Sequence, residues 1–368
     1  MDEAPEVEEQ EAEEQQQAPE VEEQEVATPS EKSVVESLQR ESIEDTPCEK
    51  FFSTGSTLLD LAIANTLPGG FGAGRISHIY GNESTAKTVL AMEALGSAMR
   101  QGGHAYFFDA EWTFDGPRAS LFGIDINSPH WHLEIPSSIE QLFDEQLEEV
   151  LKNRTGDEVP GAIAVDSLSS LPSSKEEKVD QGGYGTARAK ALSLAFRKYI
   201  FKLNQKKMGA IFVDQAREDP AKMWGDKIVV SGGKALKFYA STRIKVSLQE
   251  KILNPAKIAV GIVVKFKIVK NKIAPPFREG FFRLLFDYGI CDISSNLKWL
   301  KENDKQEYSG KSGTFQFRNQ SLGRSLDSAT RVIEDSGLEE ELRYRVWEVW
   351  YDIHKTGCED RKERKRWN

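Results

Sequence analysis

Gly81-Asn82-Glu83-Ser84-Thr85-Ala86-Lys87-Thr88 is the stretch on which the reading of this chain turns. It follows the apolar run Ile76-Ser77-His78-Ile79-Tyr80, which reads as a short buried strand, and it opens Val89-Leu90-Ala91-Met92-Glu93-Ala94-Leu95, whose spacing and residue types are helical. A strand, a tight loop and a helix start make a phosphate cradle. Successive backbone N–H groups point at an anion, and the helix N-terminus adds roughly half a positive charge. In the G-x-x-x-x-G-K-[ST] pattern the lysine reaches the β- and γ-phosphates and the hydroxyl sits on Mg²⁺, roles that fall to Lys87 and Thr88. The second glycine of that pattern is Ala86 here. A Cβ where the backbone needs φ > 0, or must approach a phosphate closely, costs on the order of 1 kcal/mol.

Working outward, His104-Ala105-Tyr106-Phe107-Phe108-Asp109-Ala110-Glu111 reads as a second strand that ends in acid. The carboxyl edge of an open parallel sheet is where ligands bind, so Glu111 is placed to orient a water for attack on a γ-phosphate. Ala162-Ile163-Ala164-Val165-Asp166-Ser167 repeats the theme, and Asp166 would complete a Mg²⁺ shell through water. Residues 139–154 carry Leu142, Phe143, Leu147, Val150 and Leu151 at helical spacing, as core. Strands alternating with helices predict an α/β fold around a mostly parallel sheet.

Two polar, glycine-rich stretches follow. Residues 175–188 hold Gly182, Gly183, Tyr184, Gly185 and Arg188 and lead into a helix over 189–205. After the strand Ala210-Ile211-Phe212-Val213-Asp214-Gln215 comes a second stretch, 217–233, with Arg217, Lys222, Trp224, Gly232 and Gly233. Long loops in a compact domain are usually functional, and cations interleaved with aromatics suit a single-stranded nucleic acid. Two further strands are predicted over 241–248 and 260–267. From about Ile293 the character changes, and a helix over 339–351 presents Leu342, Val346, Val349 and Trp350, as expected of a small separate C-terminal domain. The chain ends in a basic cluster over 361–366.

Composition sets bounds. The 368 residues suffice for one large domain, a small one and a tail. No apolar run approaches the roughly 20 residues of a membrane span. Cys48, Cys291 and Cys358 form no pair of metal-ligand spacing, which fits a reducing cytosol without structural zinc. The net charge of −11 is unevenly spread: seventeen acids against Lys32 and Arg40 in the first 45 residues give −15, leaving +4 on the remainder. Within 1–32 the run Ala4-Pro5-Glu6-Val7-Glu8-Glu9-Gln10-Glu11 recurs from Ala18 to Glu25, too poor in apolar surface to offset the entropy of ordering. This predicts a disordered acidic tail that competes with DNA for the basic body.

Together the motifs resemble the RecA family of recombinases, most of all its bacterial and phage branch. The carriers are Ser53-Thr54-Gly55-Ser56 with Leu59-Asp60, the phosphate loop, Asp109-Ala110-Glu111, Val165-Asp166-Ser167 and Ile211-Phe212-Val213-Asp214-Gln215. The most specific are Gly232-Gly233-Lys234-Ala235-Leu236-Lys237-Phe238-Tyr239-Ala240-Ser241-Thr242-Arg243 and Val269-Lys270-Asn271-Lys272-Ile273-Ala274-Pro275-Pro276-Phe277. The likeness runs in order over roughly residues 51–350. It implies a RecA-type P-loop ATPase core over 51–292, a short N-terminal helix or linker over 33–50 for protomer contact, a small α+β C-terminal domain over 293–357 and a basic tail over 358–368.

The resemblance also implies a filament-forming, DNA-dependent ATPase of the cytoplasm and nucleoid. It would use ATP and Mg²⁺, coat single-stranded DNA, sample double-stranded DNA and exchange strands, with a single-strand-binding protein or loader as a further partner. ATP would lie between neighbouring protomers. Gly81, Asn82, Glu83, Ser84, Thr85, Ala86, Lys87, Thr88 and Val89 would hold its phosphates, Asp115 and Arg118 its base side, and Thr88 with Asp166 the metal. Glu111 resembles the catalytic carboxylate and Gln215 the γ-phosphate sensor. Lys270 and Lys272 resemble the pair that reaches the neighbour's phosphates. Stretches 175–188 and 217–233 resemble the DNA loops, with Arg188, Arg197, Arg217, Lys222, Trp224, Gly232, Gly233 and Lys234 as contacts, and Phe238 resembles the residue coupling interface to loop. The chain departs from the pattern at Ala86, at Arg118, where a stacking tyrosine is expected, and at Glu218 and Asp219 beside Arg217. A ring-forming motor and a non-hydrolysing, nucleotide-gated DNA-binding scaffold are the competing readings.

Overall fold

The structure is a computed structural model that describes residues 48–155, 159–174, 184–218, 228–230, 233–304, 313–318 and 320–355. The acidic tail, the 33–47 linker, most of both glycine-rich stretches and the basic end lie outside the described residues.

β3 (Ile76–Gly81) is buried along its whole length because parallel strands flank it on both sides. The sheet runs β12-β11-β10-β9-β3-β7-β6-β4-β5. From β9 to β5 every pair is parallel. Here β4 is Ala105–Asp109, β5 Trp131–Glu134, β6 Gly161–Asp166, β7 Met208–Glu218 and β9 Thr242–Leu253. β10 (Ala259–Asn271), β11 (Glu279–Leu285) and β12 (Gly289–Ile290) add antiparallel strands at one edge, and β8 (Ile228–Val230) folds back on β7. A two-stranded piece, β1 (Phe51–Phe52) with β2 (Phe71–Gly72), precedes β3.

Alternation along the strands builds two cores, one on each face. Ala162 and Ala164 of β6 and Ile211 and Val213 of β7 face α1 (Thr57–Ala64) and α2 (Lys87–Arg100) in one cluster. Ile163, Val165, Ala210 and Phe212 join Phe143, Leu192, Phe196 and Leu236 in the other. The latter come from the 141–152 segment, α5 (Tyr184–Gln205) and α6 (Gly233–Tyr239). The C-terminal segment, α7 (Asp292–Asn303), β13 (Phe315–Phe317), β14 (Gln320–Gly323), α8 (Leu326–Ser336) and α9 (Glu339–His354), sends Trp299, Phe315, Ile333 and Trp350 into the first cluster. Asp292 accepts from the amide and hydroxyl of Thr57 at 2.7 and 2.6 Å, so α7 is pinned to the start of α1. Among the described residues no helix is long and apolar enough to cross a membrane.

Four boundaries differ from the sequence reading. The strand expected over 104–111 stops at Asp109, whose carboxylate accepts from the amides of Glu111 and Phe114 at 3.2 and 2.8 Å and turns the chain away. The helix expected from 189 starts at Tyr184, because Ala187 to Ala191 are good helix formers that outweigh the glycines before them. The helix over 139–154 opens as a π-helix, Gln141–Leu147, before α4 (Glu148–Lys152). β9 and β10 outrun the expected 241–248 and 260–267 as a hairpin whose register shifts at three bulges; its tip, with Leu253 and Ile258 exposed, lacks the alternation that marks a strand.

Candidate functional site

The phosphate loop leaves β3 at Gly81, where a Cβ would lie 2.2 Å from the carbonyl oxygen of Val246, so only glycine lets β9 come this close. Ser84 (φ 55) and Ala86 (φ 64, ψ 24) are both left-handed and curl the loop. The left-handed turn that the pattern's second glycine would supply is thus made by Ala86 at a cost of about 1–2 kcal/mol. Ala86 caps α2 without a side-chain hydrogen bond, which leaves the first-turn N–H groups directed at the loop's concavity. Thr85 Oγ1 donates to the Asn82 carbonyl at 2.7 Å, and Lys87 Nζ reaches the same oxygen at 2.7 Å. Burial lowers the pKa of Lys87, opposed by the charges of Asp166, Glu111, Glu83 and Asp214.

Asp166, the last residue of β6, accepts the Thr88 hydroxyl bond on Oδ2. Burial pushes its pKa up to about 6, with the Thr88 bond and Lys87 pulling down and Glu111 and Asp109 pushing up. A hydroxyl and a carboxylate in contact beside the loop are hard oxygen donors, a set that suits Mg²⁺ with nucleotide phosphates completing the shell. Glu111 stands two residues beyond β4, and its Oε1 accepts from Ser167 Oγ and, at 3.0 Å, from Ser170 Oγ. Gln215 is in register with Gly81, so it stands beside the root of the loop. On the base side Asp115 caps α3 (Gly116–Ala119) by accepting from Arg118 N at 3.4 Å. Arg118 Nη2 donates to the Phe286 carbonyl at 3.1 Å, and Asp115 and Arg118 line a cleft of about 170 Å³ with Thr88, Val89 and Phe114.

The opposite side of β9 and β10 presents cations. Lys270 Nζ donates to the carbonyls of Lys237 (3.1 Å) and Phe238 (2.7 Å) and so caps α6. Its pKa is lowered by burial first, then by Lys272 and Arg243. Lys272 is exposed, and among the described residues no hydrogen bond joins either lysine to the phosphate loop of the same chain. Phe238, 71% exposed, borders a cleft of about 440 Å³ with Lys237, Arg243, Val269 and Lys270.

Of the expected DNA contacts, Arg197 is exposed on α5, Arg217 lies on β7 opposite Val229 of β8, and Gly233 and Lys234 open α6. Lys222, Trp224 and Gly232 lie outside the described residues. Arg188, within α5, donates to the carbonyls of Leu168 (2.7 Å) and Leu171 (3.2 Å), bracing the turn that carries Ser167 and Ser170. Sequence reasoning missed those two serines as holders of Glu111; the signal available was the Ser167-Leu168-Ser169-Ser170 run directly after Asp166.

The family model described as RecA N-terminal domain matches residues 30–291. Protein RecA of Bacteroides thetaiotaomicron is 34% identical over 305 residues, spanning 80% of this chain and 86% of that one. Protein RecA of Bacillus cereus is 33% identical over 313 residues, spanning 84% and 88%. Among solved structures, the RadB recombinase covers 65% of this chain and 98% of its own at 18% identity, with a TM-score of 0.47. The long family match and these two sequence relatives establish that the chain belongs to the RecA family of recombinases.

Proposed function

We propose that this protein is an ATP-dependent recombinase that polymerises on single-stranded DNA and carries out homologous pairing and strand exchange. The observation that carries the reading is the gathering of the phosphate loop, the Thr88–Asp166 contact, Glu111 on its two serines and Gln215 at one sheet edge. Bound ATP with Mg²⁺ supplies the phosphoanhydride and the cation that neutralises its charge. Lys87, Thr88 and Asp166 are the residues that would hold them. Glu111, fixed by Ser167 and Ser170, orients the attacking water and accepts its proton. Gln215 senses the γ-phosphate and connects it to the stretch beyond β7. Lys270 and Lys272 serve the nucleotide of a neighbouring protomer, where cations stabilise charge developing on the transferred phosphoryl group.

Large aromatics left open on the single chain support self-assembly. Trp112 is 76%, Phe238 71% and Phe277 69% exposed, and Trp112 and Phe277 are also held at positive φ. A head-to-tail contact between an acidic nucleotide edge and a cationic face uses two different surfaces, and it propagates as a filament where its rotation does not close a ring. The division into a core over 51–292 and a C-terminal domain over 293–357 belongs to the same proposal. Its test is strand exchange between a single-stranded circle and a homologous linear duplex, with ATP and Mg²⁺. Joint molecules that require ATP and homology are expected; DNA-bound filaments that never form them would contradict the reading.

A further inference from the structure

Beneath the nucleotide edge, β9, β3 and β7 share a buried chain of polar groups that the chemistry above leaves unused. Register sets His78 opposite Arg243 on one side of β3 and Tyr80 opposite Asp214 on the other. Arg243 donates its Nε–H to His78 Nδ1 at 3.2 Å and lays its guanidinium 4.7 Å over the Tyr80 ring. His78 Nε2 lies 3.1 Å from Asp214 Oδ2, and the His78 and Tyr80 rings stack with centroids 5.1 Å apart. His78 and Asp214 are 1% and 0% exposed.

The donor inventory fixes the proton. A guanidinium has only donors, so His78 Nδ1 accepts, the ring proton sits on Nε2, and Nε2–H donates to Asp214. The imidazole is neutral, consistent with burial lowering its pKa against the pull of Asp214. A cation, a neutral ring and an anion therefore stand in line, with both bonds pointing the same way. Among the described residues the other oxygen of Asp214 is buried without a partner, so His78 is what aims this carboxylate. Loss of the ring would take from the buried Asp214 carboxylate the donor on Oδ2 while Oδ1 already lacks one, a costly change for a desolvated group.

What the ends touch gives the chain a purpose. Asp214 directly precedes Gln215, and Tyr80 directly precedes Gly81, the root of the phosphate loop. Arg243 pairs with Lys270 across β9 and β10 and lines the cleft bordered by Phe238. We propose that Arg243, His78 and Asp214 form a positioning relay, in which the face met by a neighbouring protomer sets the placement of Gln215 and the phosphate loop. The relay rests on the filament reading above. Its three members are positioning residues and touch no reacting atom.

The test is an ATP titration of turnover on single-stranded DNA, made on the full chain. His78→Leu removes both bonds at similar volume, whereas His78→Gln keeps a donor and an acceptor at opposite ends. His78→Leu is expected to lower kcat about tenfold, leave KM within about twofold and bring the Hill coefficient towards 1, and His78→Gln to restore most of each. Arg243→Lys, at the rim of the cleft, keeps the charge but loses the Nε–H and carries the test should His78→Leu fail to fold; it should lower the Hill coefficient likewise. Its loss combined with that of Phe238→Ala should fall short of additive. Wild-type kinetics in Arg243→Lys, strict additivity with Phe238→Ala, or a His78→Leu loss that Gln does not restore would each overturn the relay. A wild-type chain whose turnover ignores DNA would overturn the recombinase reading and the relay together, whereas DNA-stimulated wild-type turnover with indifferent variants overturns the relay alone.

Discussion

Ala86 shows how one side chain can strain a site without abolishing it. Its φ of 64 costs about 1–2 kcal/mol for a residue with a Cβ, while glycine there would gain about 0.4–1 kcal/mol of unfolded-state freedom to lose on folding. The first effect wins, so Ala86→Gly should raise the melting temperature of the nucleotide-free protein, a change of about 0.5 kcal/mol in stability; a lower melting temperature would contradict the assignment of strain. Glu111 is the complementary case, a carboxylate aimed by Ser167 and Ser170. Glu111→Gln should cut ATP turnover by about 100-fold or more while calorimetry still detects nucleotide binding. Turnover close to wild type would remove Glu111 from the mechanism. The need for φ > 0 at position 86 was legible because a motif position carries its backbone requirement with it. The serines and the His78–Asp214 bond were not, since they join residues 56, 59 and 136 positions apart that only strand order brings together.

Among the elements, α2 carries a second liability, Glu93. Burial first, then the charges of Asp60 and Asp292, push its pKa up to about 7, with Arg100 pulling down; Asp60 itself is pushed up to about 6, mainly by burial. These carboxyls hold protons more tightly folded than unfolded, so stability falls as pH rises from their ordinary values of 4.5 and 3.8 to about 7 and about 6. His78, His132 and His354, whose pKa values burial lowers, work in the opposite sense below their ordinary 6.5. Above 6.5 Glu93 dominates. Glu93→Gln, which mimics the protonated acid, should therefore melt higher than wild type at about pH 8, by about 1–3 kcal/mol, and lose that advantage as pH falls towards the ordinary value of 4.5. An offset independent of pH would place the effect in packing instead.

The elements that position the site were the readable ones: β6 is an apolar run closed by Asp166, and β3 and α2 flank the phosphate loop whose residue pattern marks them. Where side chains intervene, sequence periodicity misled. Asp109 ends β4 early by capturing two amides, and the 141–147 π-helix fits its apolar residues into the core with a spacing that an α-helical count does not anticipate.

For the whole molecule, the charge distribution bears on the proposed binding of DNA. The −15 of the first 45 residues against +4 on the rest predicts a tail that shields the basic body. Deleting residues 2–32 should tighten binding to single-stranded DNA at about 50 mM salt, and the gain should fade as screening shortens towards about 8 Å near 0.15 M. Equal affinities of both forms at low salt would leave the tail without this role. The parallel sheet and its ligand edge could be read from strand–helix alternation, because the crossover rules leave few arrangements. The cationic face could not be placed from composition, since Lys270 and Lys272 gain meaning only from lying apart from their own phosphate loop.

The central claim is that nucleotide edge, DNA stretches and protomer contact work as one machine. It is tested most directly by ATP hydrolysis of the intact protein with Mg²⁺ at low salt, with and without single-stranded DNA. Strong stimulation by DNA, lost in Glu111→Gln, is the predicted result. Turnover that is absent, or identical with and without DNA, while ATP-dependent DNA binding persists, would contradict it and leave a nucleotide-gated scaffold in its place.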